Sequence, residues 1–251
     1  MSHVVKLPNR ELAPFLDQVG AAGIFSRYVT AQRPDAKSAA VLDNERVVGT
    51  AIAGSSVELY EAAPHWIFAG SPEAALLLAQ ATQSESPNIN FPLSYLDLFQ
   101  AIYPQHRISI DRLYVLPQSR FRATPDGVQV RQLDAMALKA LHIPAELQPF
   151  IGAADAWQGR YMLHGIVQDE TLVCIGETVV QDRHYGAIQQ IYTLPAYRGR
   201  SLAQQLVGSC CQMLLAQGKL PLYVVADDNL PSRRVAEKLG FLLDSCWCYL
   251  G

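Results

Sequence analysis

The stretch IYTLPAYRGRSLAQQL, Ile191 to Leu206, constrains this chain most, because it has to leave a strand, pass through an arginine-rich loop and enter a helix in a short span. Ile191, Tyr192 and Thr193 have strand character, and Pro195 cannot donate to a sheet ladder. Leu202, Leu206, Cys210, Met213, Leu214 and Gln217 recur at helical spacing, and Gly218 supplies a stop. Arg198, Gly199, Arg200 and Ser201 therefore surround a helix start. The first turn of a helix carries N–H groups without intrahelical partners and a partial positive charge, so this junction suits an anion such as phosphate.

A second stretch follows at matching distance. Leu222 to Asp227 reads as a buried strand, then Asn229 and Ser232 open a short helix that ends at Lys238-Leu239-Gly240-Phe241. Together the two stretches resemble the GNAT superfamily of N-acyltransferases, whose loop signature Q/R-x-x-G-x-G/A falls here on Arg198, Gly199, Arg200, Ser201, Leu202 and Ala203. The first glycine of that pattern is Ser201. It either takes ordinary helix-start geometry or weakens the loop, and a serine there can also cap the helix or bond a phosphate oxygen.

The resemblance implies that the pyrophosphate of acetyl-coenzyme A, or another acyl-coenzyme A used as co-substrate, sits on Arg198 to Ala203. Its pantetheine arm would run beside Ile191, Tyr192 and Thr193, with Asn229 and Ser232 close by. An amine would attack the thioester directly, with the backbone N–H of Ile191 or Tyr192 as oxyanion donor. The implied activity is an acyl-coenzyme-A-dependent N-acyltransferase, most simply an N-acetyltransferase, acting on a small-molecule amine or amino acid. Two positions depart from the pattern: Ala187 stands where many relatives place a glutamate base, and Ala236 where a tyrosine usually protonates the leaving thiolate. Those departures keep open a second reading, a sensor or scaffold that binds acyl-coenzyme A without turnover.

The residues suggest substitutes. Glu177 shares strand parity with Val173, Ile175 and Val179, which puts a carboxylate on an apolar face, opposite Gln190 or Ile191 after a turn near Asp182 to Gly186. Burial there would raise its pKa and suit a general base; the plainer reading is a structural carboxylate. His184 reads as an exposed turn histidine, Gln189 and Gln190 as groups able to position a water or the amine, and Tyr192 and Tyr249 as acids indistinguishable from core tyrosines.

Composition narrows the remaining classes. The chain has 251 residues, half of them hydrophobic, and a net charge of −3, which does not make a nucleic-acid surface. No apolar run reaches membrane-spanning length, Met1 to Leu16 carries charges where a signal peptide would be apolar, and a cytoplasmic monomer or homodimer is expected. Cys174, Cys210, Cys211, Cys246 and Cys248 lack the C-x-x-C spacing of a zinc half-site and read as reduced packing thiols, so no metal is expected. The chain has no G-x-x-x-x-G-K-[ST] loop of a nucleotide hydrolase.

The turn-rich Arg120 to Gly127 divides the pattern, giving an N-terminal α/β domain over 1–125 and a domain over 126–251. In the second, Val128 to Leu133 reads as the first strand, Asp134 as the cap of the next helix, Tyr161 to Val167 and Leu172 to Gln181 as strands, and Leu242 to Leu250 as the last strand. The first domain offers helices over Asn9 to Val19, Glu73 to Ala81 and Phe91 to Ile102. Its strands are Ala39 to Leu42, Val47 to Ala53, His65 to Phe68 and Leu113 to Leu116. The expected class is α/β or α+β, a C-terminal GNAT fold with a mixed, mostly antiparallel twisted sheet flanked by helices. The first domain is either a degenerate copy, as in two-domain proteins resembling glycine N-acyltransferase, or an unrelated cap.

Overall fold

A computed structural model describes residues 2–32, 36–53, 65–82, 87–123, 127–151 and 162–251. They form two compact units, Met1–Leu113 with Asp244–Gly251, and Tyr114–Leu243. The first unit runs through β1 (His3–Val5), α1 (Asn9–Gln18), α2 (Ile24–Gln32), β2 (Ser38–Asp43), β3 (Arg46–Ala53), β4 (His65–Ala69) and α3 (Pro72–Ala81). It continues with β5 (Ile89–Pro92), α4 (Leu96–Ile102) and most of β6 (Ile108–Val115). The second unit adds β7 (Val130–Leu133), α5 (Ala135–Lys139), α6 (Gln148–Ile151), β8 (Met162–Gln168), β9 (Thr171–Gln181) and β10 (Tyr185–Thr193). After these come α7 (Leu202–Ala216), β11 (Leu220–Ala226) and α8 (Leu230–Leu239), and the chain ends on β12 (Leu242–Leu250).

The sheet of the first unit has the order β1-β2-β3-β4-β5-β12-β6. β12, the last strand in sequence, lies antiparallel to β5 with Trp247 opposite Pro92 and Leu250 opposite Ile89. β4 and β5 run parallel with two recorded pairs, His65 with Ile89 and Trp66 with Asn90. α3 lies between them in sequence and buries Ala74, Ala75, Leu78 and Ala79; Ala74, Leu78 and Ala79 share one apolar cluster with Val41, Ala51, Ile67 and Phe91. Each large side chain so buried contributes about 1.5–3 kcal/mol. The helix starts sharply: Ser71 Oγ accepts from the Ala74 N–H at 3.2 Å and Pro72 follows at the first helical position.

The helix expected from Phe91 begins instead at Leu96, because Phe91 belongs to β5 and is wholly buried there. Pro92 explains the shift: it lacks an N–H and holds the residue before it in extended geometry. From the turn after β5, the Tyr95 hydroxyl donates to the Ala69 carbonyl at 2.7 Å, at the end of β4.

The sheet of the second unit has the order β11-β10-β9-β8-β7, mixed because β10 and β11 are parallel while the other recorded pairs are antiparallel. Asp134 caps α5, accepting from the Ala137 N–H at 2.7 Å. α7 packs on one face of β9, β10 and β11, burying Leu202, Leu206, Val207, Cys210, Cys211 and Leu214. Gly176 suits that approach, since a Cβ there would meet the ends of the Ile191 and Leu206 side chains.

Candidate functional site

The arginine-rich loop is held by its own backbone. Gly199 has φ +77° and Ser201 has φ +58°, ψ +19°, so two residues of this short turn are left-handed. Ser201 therefore takes the conformation a glycine would supply, in place of ordinary helix-start geometry, and its side chain makes no cap bond. The first helical bond here runs from the Gln205 N–H to the Ser201 carbonyl at 3.0 Å. The N–H groups of Leu202, Ala203 and Gln204 thus precede the helical ladder, and turns of this kind form anion-binding concavities. Nothing lies within 4 Å of the place where a Gly199 side chain would start.

Both arginines are exposed and fold back on the loop. Arg198 Nε donates to the Thr193 carbonyl at 3.1 Å, and its guanidinium stands 5.5 Å from the Tyr192 ring centroid. Arg200 Nη2 donates to the Ala196 carbonyl at 3.4 Å and stands 5.1 Å from the Tyr197 ring.

The strands on either side of α7 open toward this loop. Pairing of β10 with β11 runs from Tyr185–Leu220 to Ile188–Tyr223 and stops, although β10 continues to Thr193 and β11 to Ala226. On its other side β10 carries a bulge: Gln189 faces Glu177 and Tyr192 faces Ile175, so Gln190 and Ile191 together oppose Gly176. Gln190 sits there at φ +56°. Beyond Ile188, then, Ile191, Tyr192 and Thr193 have no β11 partner, and the bulge takes one amide out of the β9 ladder. That is the geometry needed for an extended chain to lie along β10 and for an N–H to meet a developing oxyanion.

Glu177 lies opposite Gln189 on β10 and Leu163 on β8. The expected partners Gln190 and Ile191 are one and two positions off. The cause is an irregularity nearer the turn: Gly186 pairs with Gln181 but Ile188 with Thr178, so β9 carries one extra residue and the register slips by one. Glu177 shares its face with Val173 and Ile175, both fully buried, and burial pushes its carboxyl up from 4.5 to about 7. The same face carries Tyr192, which pairs with Ile175 and stacks on Phe150 of α6 with centroids 4.9 Å apart.

Asn229 and Ser232 meet at the start of α8, where Asn229 Oδ1 accepts from the Ser232 N–H at 3.1 Å. Ala187 and Ala236 are fully buried. The residue that sequence patterns did not single out is Tyr223, at the last β10–β11 rung, whose hydroxyl hydrogen-bonds the Ser232 side chain. Burial pushes it up to about 12, so it stays protonated. Only its place inside a strand-like run was legible, and that signal also fits any core tyrosine.

Two other candidates lie elsewhere. His184 is exposed in the turn before β10, at the end of the strand away from the loop, and Tyr249 lies on β12 in the first unit. Gln189 faces Glu177, while Gln190 is exposed at the bulge. All five cysteines are free, and burial raises the Cys174 thiol to about 11 and Cys210 to about 12, as for packing thiols. Among the described residues no group of three His, Cys, Asp or Glu could hold a metal ion, and no helix is long and apolar enough to cross a membrane.

Residues 129–241 match the acetyltransferase (GNAT) family. Among solved structures, the chain is similar to an X-ray structure of a Drosophila protein at 14% identity and TM-score 0.68, covering 99% of this chain and 98% of that one. It is also similar to a GCN5-related N-acetyltransferase-like protein from Streptococcus suis at 16% identity and TM-score 0.60, covering 95% and 98%. A tandem GNAT protein from the clavulanic acid biosynthesis pathway matches at 16% identity and TM-score 0.60, covering 100% and 98%. At such identities the likeness is one of fold. No curated protein matches the sequence.

Proposed function

We propose, from the premise that residues 129–241 form a GNAT acetyltransferase domain, that the protein transfers an acetyl or other acyl group from acyl-coenzyme A to the amine of a small molecule. One observation carries this reading: a loop with two left-handed residues opens α7 beside parallel strands that part after Ile188 and Tyr223. The loop amides and Arg198 and Arg200 suit the pyrophosphate, and the free edge of Ile191 to Thr193 suits the amide-bearing pantetheine. Asn229 and Ser232, at the start of α8, suit a role beside that arm.

In the reaction the amine nitrogen attacks the thioester carbonyl, the C–N bond forms, the C–S bond breaks and the thiolate leaves. The attacking nitrogen has to lose a proton, and Glu177, poised near neutrality at about 7, is the base on that face. The bulge amide of Ile191 receives the oxyanion. The Ser232 hydroxyl, bonded to Tyr223, offers the departing sulfur a hydrogen bond in place of the tyrosine missing at Ala236. An acyl-coenzyme A sensor without turnover is the competing reading, favoured by Ala187 and Ala236.

Incubation with acetyl-coenzyme A and a panel of amines, following free thiol, separates the two. Thiol release above buffer with at least one amine supports the transferase. Calorimetric binding without release would leave the sensor, and the absence of binding would remove both.

A further inference from the structure

The signature loop and helix α6 are linked through one side chain. Tyr192 takes the Arg198 guanidinium 5.5 Å from its ring centroid, while the next residue, Thr193, accepts the Arg198 Nε–H at 3.1 Å. The same ring stacks on Phe150 at 4.9 Å with an interplanar angle of 29°. Phe150 belongs to α6, and Tyr192 pairs with Ile175, two residues from Glu177 along β9. Phe150 and Glu177 are thus on one face of the sheet. Tyr192 is also the first paired residue after the bulge, so its ring position is fixed by the same irregularity that frees an amide.

We infer that Tyr192 is a positioning residue that ties the donor loop to α6, so that an anion on the loop steadies the helix standing over the Glu177 face. The inference rests on the donor reading above. An anion on the Gly199 to Ala203 amides lies next to the Arg198 charge and restrains that side chain. The restraint passes to Tyr192 by its cation–π contact and to Phe150 by the ring stack. The two observed contacts make a contiguous path from Arg198 to α6, and the effect on α6 needs no acceptor to be present.

Hydrogen exchange on the full chain with coenzyme A as probe tests this. In the wild type, bound coenzyme A should slow amide exchange in 198–204 and also in 147–151, the latter by about threefold. Tyr192→Phe keeps the ring and should retain both effects. Tyr192→Ala should lose the α6 effect and weaken coenzyme A binding, since Arg198 loses one of its two anchors. Phe150→Ala cuts the path at its far end and should keep loop protection while losing protection of α6. It carries the test should Tyr192→Ala not fold. Protection of the loop without α6 in the wild type, or α6 protection that survives Phe150→Ala, overturns the inference and leaves the donor reading standing. A wild-type loop untouched by coenzyme A instead overturns the donor reading itself.

Discussion

Each unit contains the same device, a strand, a turn, a helix and a second strand parallel to the first, and the two differ in the residues around the helix start. In the second unit β10 reaches α7 through Leu194 to Ser201, with two left-handed residues and two arginines. In the first, β4 reaches α3 through Gly70 and Ser71 alone. There the Ser71 hydroxyl already occupies the Ala74 N–H, Pro72 has none to offer, and Glu73 puts negative charge in the first turn. The parting of β4 from β5 is answered by the Tyr95 hydroxyl on the Ala69 carbonyl. β9 carries Glu177 on its buried face, while the only charged residue of β3 is Arg46, at its exposed start. The fold supplies the helix end twice, and the residues around it decide whether an anion is welcome.

The sharpest way to break this contrast is charge reversal. Arg198→Glu combined with Arg200→Glu should weaken coenzyme A binding about a hundredfold at low salt. Calorimetry on the wild type should register one coenzyme A per chain; two would show that α3 binds as well as α7.

Next comes the buried carboxylate. The fold holds Glu177 neutral up to about 7 against an ordinary 4.5, so its stabilising contribution is complete below 4.5 and is lost as pH rises through 7. Glu177→Gln should therefore gain on the wild type by on the order of 3 kcal/mol between pH 4.5 and 8 in urea unfolding. It should also flatten the limb of the pH–rate profile near 7, and an unaltered profile would remove Glu177 as the base.

A smaller effect is expected in the first unit, where Ser71→Ala should cost about 1 kcal/mol of stability by loss of the cap while leaving coenzyme A affinity unchanged. The smallest is Ser201→Gly, which relieves a left-handed serine and should stabilise by ~0.5 kcal/mol with binding retained. A marked loss of binding would show that the Ser201 hydroxyl itself contacts the donor.

The local backbone of the candidate site was legible because its signals come from neighbouring residues. Arg198 to Ala203, the Asn229 cap and the Gly240 stop, at φ +95°, each follow from the preferences of neighbouring residues. What escaped depended on register and packing. An extra residue between Thr178 and Gln181 leaves no mark in composition, yet it moves Glu177 from the expected partners to Gln189. Serine has no strong preference for left-handed geometry, so the residue type at 201 does not reveal the conformation that loop closure imposes. The stack of Phe150 on Tyr192 joins residues far apart in sequence, and no periodicity reports it. In the first unit, Pro92 outweighed the apolar run that made Phe91 look helical.

The placement of β12 bears on the order in which the protein can be built. Asp244–Gly251 belongs to the first unit, yet it is synthesised after all of Tyr114–Leu243. On a ribosome the second unit can therefore close before the first has its strand between β5 and β6. During that interval the β5 edge is unprotected and open to the wrong partner. A chain interrupted within Asp244–Gly251 would keep the second unit whole and lose the integrity of the first.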